Sequence, residues 1–254
     1  MTAPRDCFAI VAPGFEATAA DEMRALGLEG IVAGAGGVAF RADDAALVRA
    51  NLHLRTVSRV LVRVATFTAK SFPELERRAK AVPWASYLPP GSRVALRVTC
   101  RKSRLYHSDA VAERLSRSIA SAVPGAQTGR VGAADLDAAS DAAFDTASAT
   151  PAHLFVVRFE RDECTISADS SGELLHRRGY RLATAKAPIR ETIAAGVLLA
   201  LGYDGTAPVI DPMCGSGTFA IEAALIARNI APGIQRAFAC ESWPGFSAAA
   251  ARRV

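Results

Sequence analysis

The pattern of apolar and polar residues in the first 57 positions predicts a small α/β unit. Short apolar stretches bounded by glycine or proline are typical of strands, whereas apolar residues recurring every three or four positions are typical of helices. The predicted order is a strand at 7–12, a helix at 15–26, a hairpin of 31–33 with 38–40, and a helix from Asp43 or Asp44 to residue 54. Aspartate suits a helix start because its carboxylate accepts hydrogen bonds from free first-turn amides.

The next stretch, residues 58–169, repeats this alternation of strands and helices. The expected elements are a strand at 59–68, a helix that Ser71 begins, a strand at 93–99, a helix that Ser108 or Asp109 begins, and a hairpin of 153–159 with 164–168. Apolar residues at i, i+4 and i+8 place Val111, Leu115 and Ile119 on one buried face of the second helix. Residues 125–150 are rich in Ala, Asp, Gly, Ser and Thr, which predicts a loosely ordered connection.

A third stretch carries the most informative pattern of the chain. A helix is expected at 189–201, with Pro188 in the first helical position, where its missing N–H costs nothing. A short apolar strand at 207–210 then leads into Asp211-Pro-Met-Cys-Gly-Ser-Gly-Thr218, and an apolar helix follows at 219–227. A strand, a glycine-rich turn and a helix form the first unit of a Rossmann-type nucleotide-cofactor site.

Composition excludes several classes of protein. The chain has 254 residues, of which half are apolar, so it can bury a sizeable core, and its net charge is +5. Its five cysteines are widely spaced and form no C-x-x-C pair, which predicts neither a metal site nor a redox motif and fits a reducing, cytoplasmic environment. No apolar run is long enough to span a bilayer, so no membrane association is expected.

The ligand of the glycine turn can be narrowed by its charge. A nucleotide triphosphate loop requires a lysine after its last glycine, and this turn has none. A dinucleotide loop stays open because Ala220 in place of a third glycine is a permitted variant, but Asp211 would face a negatively charged pyrophosphate. S-adenosylmethionine (SAM) is cationic at its sulfonium and ammonium groups, and its carboxylate suits a helix N-terminus. In the simplest alternative, Asp211 only caps the turn.

Six blocks in sequence carry a family resemblance. They are Arg97-Val-Thr-Cys-Arg-Lys-Ser-Arg-Leu-Tyr-His107, His176-Arg-Arg-Gly-Tyr-Arg181, Ala187-Pro-Ile-Arg-Glu-Thr192, the glycine turn with Ile221-Glu-Ala-Ala224, Ala227-Arg-Asn-Ile-Ala-Pro-Gly233, and Glu241-Ser-Trp-Pro-Gly-Phe246. Together they resemble the THUMP-domain class I RNA methyltransferases, specifically the bacterial large-subunit rRNA guanine-N2 methyltransferases of the RlmL type. The resemblance covers nearly the whole chain.

The resemblance implies an α/β protein of three parts. It implies a ferredoxin-like domain at 1–57, a THUMP RNA-binding domain at 58–169, and the first part of a Rossmann-like methyltransferase domain at 170–254. It implies SAM as the cofactor and RNA as the partner, with rRNA expected and tRNA as the alternative. The implied cofactor residues are Asp211, Pro212, Cys214, Gly215, Ser216, Gly217, Thr218 and Arg190, the last of which could instead be structural.

Two basic runs are candidates for RNA contact. The first comprises Arg97, Arg101, Lys102 and Arg104, with Tyr106 and His107 beside them. Basic groups neutralise phosphates, and aromatic rings stack on bases. The second run, from residue 174 to 190, has five Lys or Arg and no acid, and its RNA candidates are Arg177, Arg178 and Arg181. A solvated loop or linker is the simpler interpretation of each run.

The catalytic residues of the resembled family are missing from the sequence. That family orients the guanine amine with an Asn/Asp-Pro-Pro-Tyr/Phe motif, and the one Pro-Pro pair, Pro89-Pro90, follows a leucine and lies in a different domain. We therefore expect the chain to be truncated relative to the family and, alone, to bind cofactor poorly and not catalyse. The alternatives are a stand-alone RNA-binding THUMP module with a vestigial methyltransferase part and, from the glycine turn only, an NAD-dependent oxidoreductase.

Overall fold

The fold is that of a mixed α/β protein, as the sequence predicts. A computed structural model describes residues 3–130, 153–181 and 189–247, together with residue 249. Residues 131–150 of the predicted connection, and Pro188 at the predicted helix start, lie outside this described part. No helix within it is long and apolar enough to cross a membrane.

Eight strands and six helices are described. The strands are β1 (Arg5–Val11), β2 (Glu29–Gly34), β3 (Gly37–Ala42), β4 (Val57–Thr68), β5 (Arg93–Arg101), β6 (Gln127–Arg130), β7 (His153–Glu160) and β8 (Glu163–Asp169). The helices are α1 (Glu16–Ala25), α2 (Asp44–His53), α3 (Phe72–Ala79), α4 (Ser108–Ala122), α5 (Glu191–Ala200) and α6 (Thr218–Ala227). Short 3-10 helices lie at Trp84–Ser86 and Ala239–Ser242.

The described chain divides into two compact units, and each is discontinuous in sequence. One unit joins the residues up to Val60 with Leu174–Phe238. The other joins Leu61–Glu173 with Ala239–Ala248. The first part of the chain therefore shares a compact unit with the glycine turn.

In the first unit the strand order is β2-β3-β1, followed by the start of β4. β1 is antiparallel to β3, and its residues alternate between core and surface, with Cys7, Ala9 and Val11 buried. Asp43 caps α2, because its carboxylate accepts a 2.8 Å hydrogen bond from the Ala46 amide. α1 packs against β2, β3 and α5, and α5 packs against α6.

In the second unit β4 continues and pairs antiparallel with β8, which pairs with β7. β5 lies parallel to both β7 and β6. The predicted apolar face of α4 is confirmed, since Val111, Leu115 and Ile119 are fully buried. Residues 239–247 join this unit through the Cys240 amide, 3.1 Å from the Ser170 carbonyl, and through the Tyr87 and Trp243 rings, whose centroids are 5.0 Å apart.

Two sequence-based assignments are wrong in part. The predicted connection at 125–150 contains β6, which the neighbouring strand β5 stabilises by parallel pairing of Leu96 with Arg130. Conversely, residues 207–210 do not form the predicted strand. A strand needs a hydrogen-bonded neighbour, and no described strand pairs with this segment, whose Ile210 side chain is 88% exposed.

Candidate functional site

The glycine turn has the backbone that its sequence predicts. Gly215 and Gly217 have φ of 52° and 76°, in the left-handed region that residues with a Cβ rarely adopt. Gly217 is the N-cap of α6 and donates a 2.7 Å hydrogen bond to the Cys214 carbonyl. The turn therefore delivers the chain directly into a helix N-terminus, whose first-turn amides point towards the turn.

The polar side chains of the turn organise it from within. The Asp211 Oδ1 accepts a 3.0 Å hydrogen bond from the Met213 amide, and the hydroxyls of Ser216 and Thr218 lie 3.4 Å apart. The first contact is the turn-capping role of Asp211 that the sequence left open. It uses the Oδ1 oxygen of the Asp211 carboxylate.

The turn fits a small ligand that carries both signs of charge. Pro212, Cys214 and Gly215 are exposed, and a Cβ placed on Gly215 would meet only the Met213 carbonyl oxygen, at 4.0 Å. A ligand carboxylate could take the first-turn amides of α6, and a cationic group could take the Asp211 carboxylate. The residues present therefore match the charges of SAM.

Helix α6 is anchored by a buried charge. The Glu222 side chain is fully buried, and its Oε1 lies 3.5 Å from the Arg178 Nε and accepts a 3.0 Å hydrogen bond from the Tyr180 hydroxyl. Burial raises the pKa of Glu222, whereas the Arg178 guanidinium pulls that pKa down. Burial also raises the pKa of Tyr180, and the Glu222 charge adds to the increase, so Tyr180 stays protonated and donates.

Arg181 joins α5 to α6. Its Nη2 donates to the Thr218 hydroxyl over 3.1 Å and to the Ile189 carbonyl over 3.2 Å, and it forms an ion pair with Glu191 at 3.0 Å. Arg181 thus holds the first residue of α6, directly after the glycine turn.

The predicted RNA-binding run at 177–181 separates into different environments. The assignment of Arg178 to RNA contact conflicts with its burial, because 3% exposure leaves no surface for a phosphate. Arg177 and Arg190 are exposed. With His176, Arg181 and Glu191 they help to line a cleft of about 380 Å³. Arg190 therefore lies beside α5 at the surface, where it also serves as the N-cap residue.

The other basic run lies at the end of β5, in the second unit. Arg101, Lys102 and Arg104 are exposed, whereas Arg97 is half-buried. The backbone of this loop is fixed to the β7–β8 turn, because the Arg104 amide donates a 2.7 Å hydrogen bond to the Asp162 carboxylate. The loop thus presents basic side chains on an ordered backbone.

Two further observations extend this basic surface. Tyr106 is 67% exposed, and its ring centroid lies 4.0 Å from that of His107. Arg161, which sequence reasoning missed, is exposed in the β7–β8 turn, and its amide donates to the Arg101 carbonyl over 3.2 Å. The sequence around Arg161 has no net positive charge, because Glu160 and Asp162 flank it. Only the predicted hairpin of 153–159 with 164–168 could have indicated that Arg161 lies at a turn.

Sequence models of two protein domains match the chain. Residues 6–61 match the RlmL ferredoxin-like domain, and residues 178–253 match the methyltransferase domain described as RMKL-like. The second match contains the glycine turn and α6. Neither match covers residues 62–177, so the THUMP assignment stays a prediction.

Curated relatives agree with these matches. The "Putative RNA methyltransferase YpsC" of Bacillus subtilis is 40% identical over 91% of this chain and 56% of its own length. The ribosomal RNA large subunit methyltransferase K/L of Syntrophotalea carbinolica is 34% identical over 94% of this chain and 32% of its own length. The chain therefore spans about half, or less, of these relatives.

Solved structures show the same similarity. A predicted N6-adenine-specific DNA methylase from Listeria monocytogenes has 34% identity and a TM-score of 0.79, over 99% of this chain and 62% of its own. SMU.472, described as a methyltransferase complexed with SAH, has 30% identity and the same TM-score, over 100% and 63%. Residues 6–61 and 178–253 therefore match the RlmL ferredoxin-like and RMKL-like methyltransferase domains, and the predicted resemblance to this group of methyltransferases is confirmed.

Proposed function

We propose that the protein takes part in the SAM-dependent methylation of RNA, at N2 of a guanosine in large-subunit rRNA. The observation that carries the proposal is the glycine turn of 211–218, which enters the N-terminus of α6 within the matched methyltransferase segment. The rRNA substrate is supported by the K/L relatives, and tRNA is the alternative. The cytoplasmic location expected from the sequence is consistent with an RNA substrate.

In this proposal the turn and the start of α6 hold the cofactor. Asp211 meets a cationic group of SAM, while the amides of Gly217, Thr218 and the following residues meet its carboxylate. Pro212, Cys214, Gly215 and Ser216 shape the turn, and Arg190 lies at the edge of the neighbouring cleft. When bound, SAM supplies an electrophilic methyl group.

Calorimetric titration with SAM tests the cofactor assignment, and NAD is the comparison ligand. We expect weak but measurable heat from SAM binding, as the sequence predicts for this chain alone, and none from NAD, because a pyrophosphate would meet the Asp211 carboxylate. NAD binding in place of SAM binding would favour the oxidoreductase alternative.

RNA contact is assigned to the surface at the end of β5. Arg101, Lys102 and Arg104 neutralise phosphates, and Tyr106 and His107 stack on bases, with Arg97 at the margin. Arg177, in the first unit, is a separate candidate for RNA contact, since it is exposed in the cleft beside α5. Arg181 contributes through its hold on Thr218.

The triple variant Arg101→Ala, Lys102→Ala, Arg104→Ala should lose RNA affinity, because three phosphate contacts are removed. The slope of log affinity against log salt concentration is negative, and its magnitude should decrease by about two to three. The matched control removes three other exposed charges, with Arg24→Ala, Arg41→Ala and Arg117→Ala. A filter-binding series in rising salt measures both, and equal slopes for the two variants would refute the assignment.

A stand-alone RNA-binding module is the second candidate. It is favoured by the exposed, unpaired segment at 207–210 and by the open surface of the glycine turn. This candidate predicts RNA binding that depends on the triple site, without heat on addition of SAM. The calorimetric SAM titration and the filter-binding series together therefore separate the two candidate functions.

A further inference from the structure

A largely buried polar cluster joins α6 to three other segments of the first compact unit. We call it the anchor cluster, and it comprises Glu22, Arg55, Arg178, Tyr180 and Glu222. Its members come from α1, from the segment after α2, from the segment before α5 and from α6. All belong to the first compact unit.

Arg55 is the member that reaches furthest along the chain. Its Nη2 donates hydrogen bonds to the carbonyls of Leu225, over 3.3 Å, and Ile230, over 2.8 Å. Leu225 lies in the last turn of α6, where a helix carries partial negative charge, and Ile230 lies just beyond the helix end at Ala227. A guanidinium of the ferredoxin-like segment therefore stabilises the far end of the helix that the glycine turn begins.

The backbone of Arg55 is held in place from both sides. Its amide donates a 2.9 Å hydrogen bond to the Glu22 Oε1, and the Thr56 amide donates to the Glu22 Oε2 over 3.1 Å. Its carbonyl accepts a 2.6 Å hydrogen bond from the Arg178 Nη2. Contacts with α1 and Arg178 thus hold the backbone of Arg55, while its side chain contacts α6 and the residues after it.

Arg178 closes the connection to the middle of α6. Its Nη1 donates to the Leu175 carbonyl over 2.7 Å, and its Nε lies 3.5 Å from the Glu222 Oε1. Both charged side chains are almost completely buried. Buried charges are costly unless their partners are all in place, so the cluster favours one position of α6 over others.

The geometry points to Arg55 as a positioning residue for the glycine turn. Through Leu225, Ile230, Arg178 and Glu222 it sets the position of α6, and therefore of Gly217 and the first-turn amides. The ferredoxin-like domain would then control the order of the ligand-binding turn without touching the ligand. The description of that turn as a cofactor site rests on the proposed function.

The test is amide hydrogen exchange of the full chain in the absence of ligand, compared between wild type and Arg55→Met. We expect exchange in α6 and the turn to accelerate about 2- to 30-fold, the range of typical coupling energies, with exchange in β5 and β7 unchanged. The control is Arg49→Met, since Arg49 donates a 3.2 Å hydrogen bond to the Leu26 carbonyl, at the end of α1 rather than in α6. Arg55→Lys, which keeps the charge, should restore part of the protection.

Two outcomes would overturn the inference. One is equal exchange in α6 for Arg55→Met and Arg49→Met, and the other is a uniform acceleration throughout the first unit. If Arg55→Met fails to fold, Arg55→Gln supplies the same test, because it removes the guanidinium charge and keeps a polar side chain. The exchange result is independent of SAM, so a failure of wild-type SAM binding would count against the proposed function alone.

Discussion

Burial separates the arginines near residue 180 into two chemical roles. The Arg178 guanidinium is enclosed and binds two carbonyls and the Glu222 carboxylate, whereas Arg177 is exposed. Adjacent residues of one charge look equivalent in a sequence. The separation depends on Glu222 and Arg55, which come from distant parts of the chain, and no local pattern reveals it.

Replacing Arg178 should therefore be far more costly than replacing its neighbour. Arg178→Met leaves the Glu222 carboxylate buried without its charged partner and should lower the free energy of unfolding by about 3–5 kcal/mol. Arg177→Met, the matched control, should change it by less than about 0.5 kcal/mol. Urea denaturation measures both, and similar midpoints for the two variants would contradict the assigned role of Arg178.

His153, at the start of β7, should make stability depend on pH. Its burial lowers its pKa from the ordinary value of 6.5, so below that pH the unfolded chain binds more protons than the native state. The free energy of unfolding should consequently fall as the pH drops from about 7.5 to 5.5. Thermal unfolding across this range should show a shallower decline for His153→Gln than for wild type. An equally steep decline would assign the effect to other groups, such as His53, whose pKa burial also lowers.

At the scale of elements, periodicity predicts those whose stability is local or whose apolar face is continuous. α4 and the β2–β3 hairpin form where the pattern places them. The errors at 127–130 and 207–210 concern strand pairing, which depends on a neighbour rather than on the segment. β6 has β5 beside it and forms, whereas no described strand lies beside 207–210.

Helix caps give a sharper test at this scale, because sequence assigns two of them alike and the structure does not. Asp43 accepts a hydrogen bond from the Ala46 amide, but Ser71 makes no side-chain bond at the start of α3. Asp43→Ala should lower the free energy of unfolding by about 1 kcal/mol, and Ser71→Ala by much less. Chemical denaturation of the two variants measures the difference. Equal losses would mean that the Asp43 hydrogen bond adds nothing to stability.

At the scale of the whole molecule, the chain order and the compact units differ. The ferredoxin-like sequence and the start of the methyltransferase sequence share one unit, whereas residues 239–247 belong to the other. The sequence predicts three consecutive domains, and those boundaries stay a prediction. The glycine turn could be predicted because its residues carry their own backbone preference. Its anchor cluster could not, since those contacts join residues 33 to 175 positions apart.

The central claim is that the turn of 211–218 accepts a cationic cofactor through Asp211. Calorimetric titration of SAM into wild type, Asp211→Asn and Asp204→Asn tests it most directly. Asp204 is a matched control, because its carboxylate also caps a turn by accepting a 3.0 Å hydrogen bond, from the Thr206 amide, outside the glycine turn. The account predicts that Asp211→Asn weakens SAM binding by at least about tenfold, as expected for losing one charged contact, and that Asp204→Asn leaves it unchanged. Equal affinities for all three proteins, or no SAM binding to wild type, would contradict the claim.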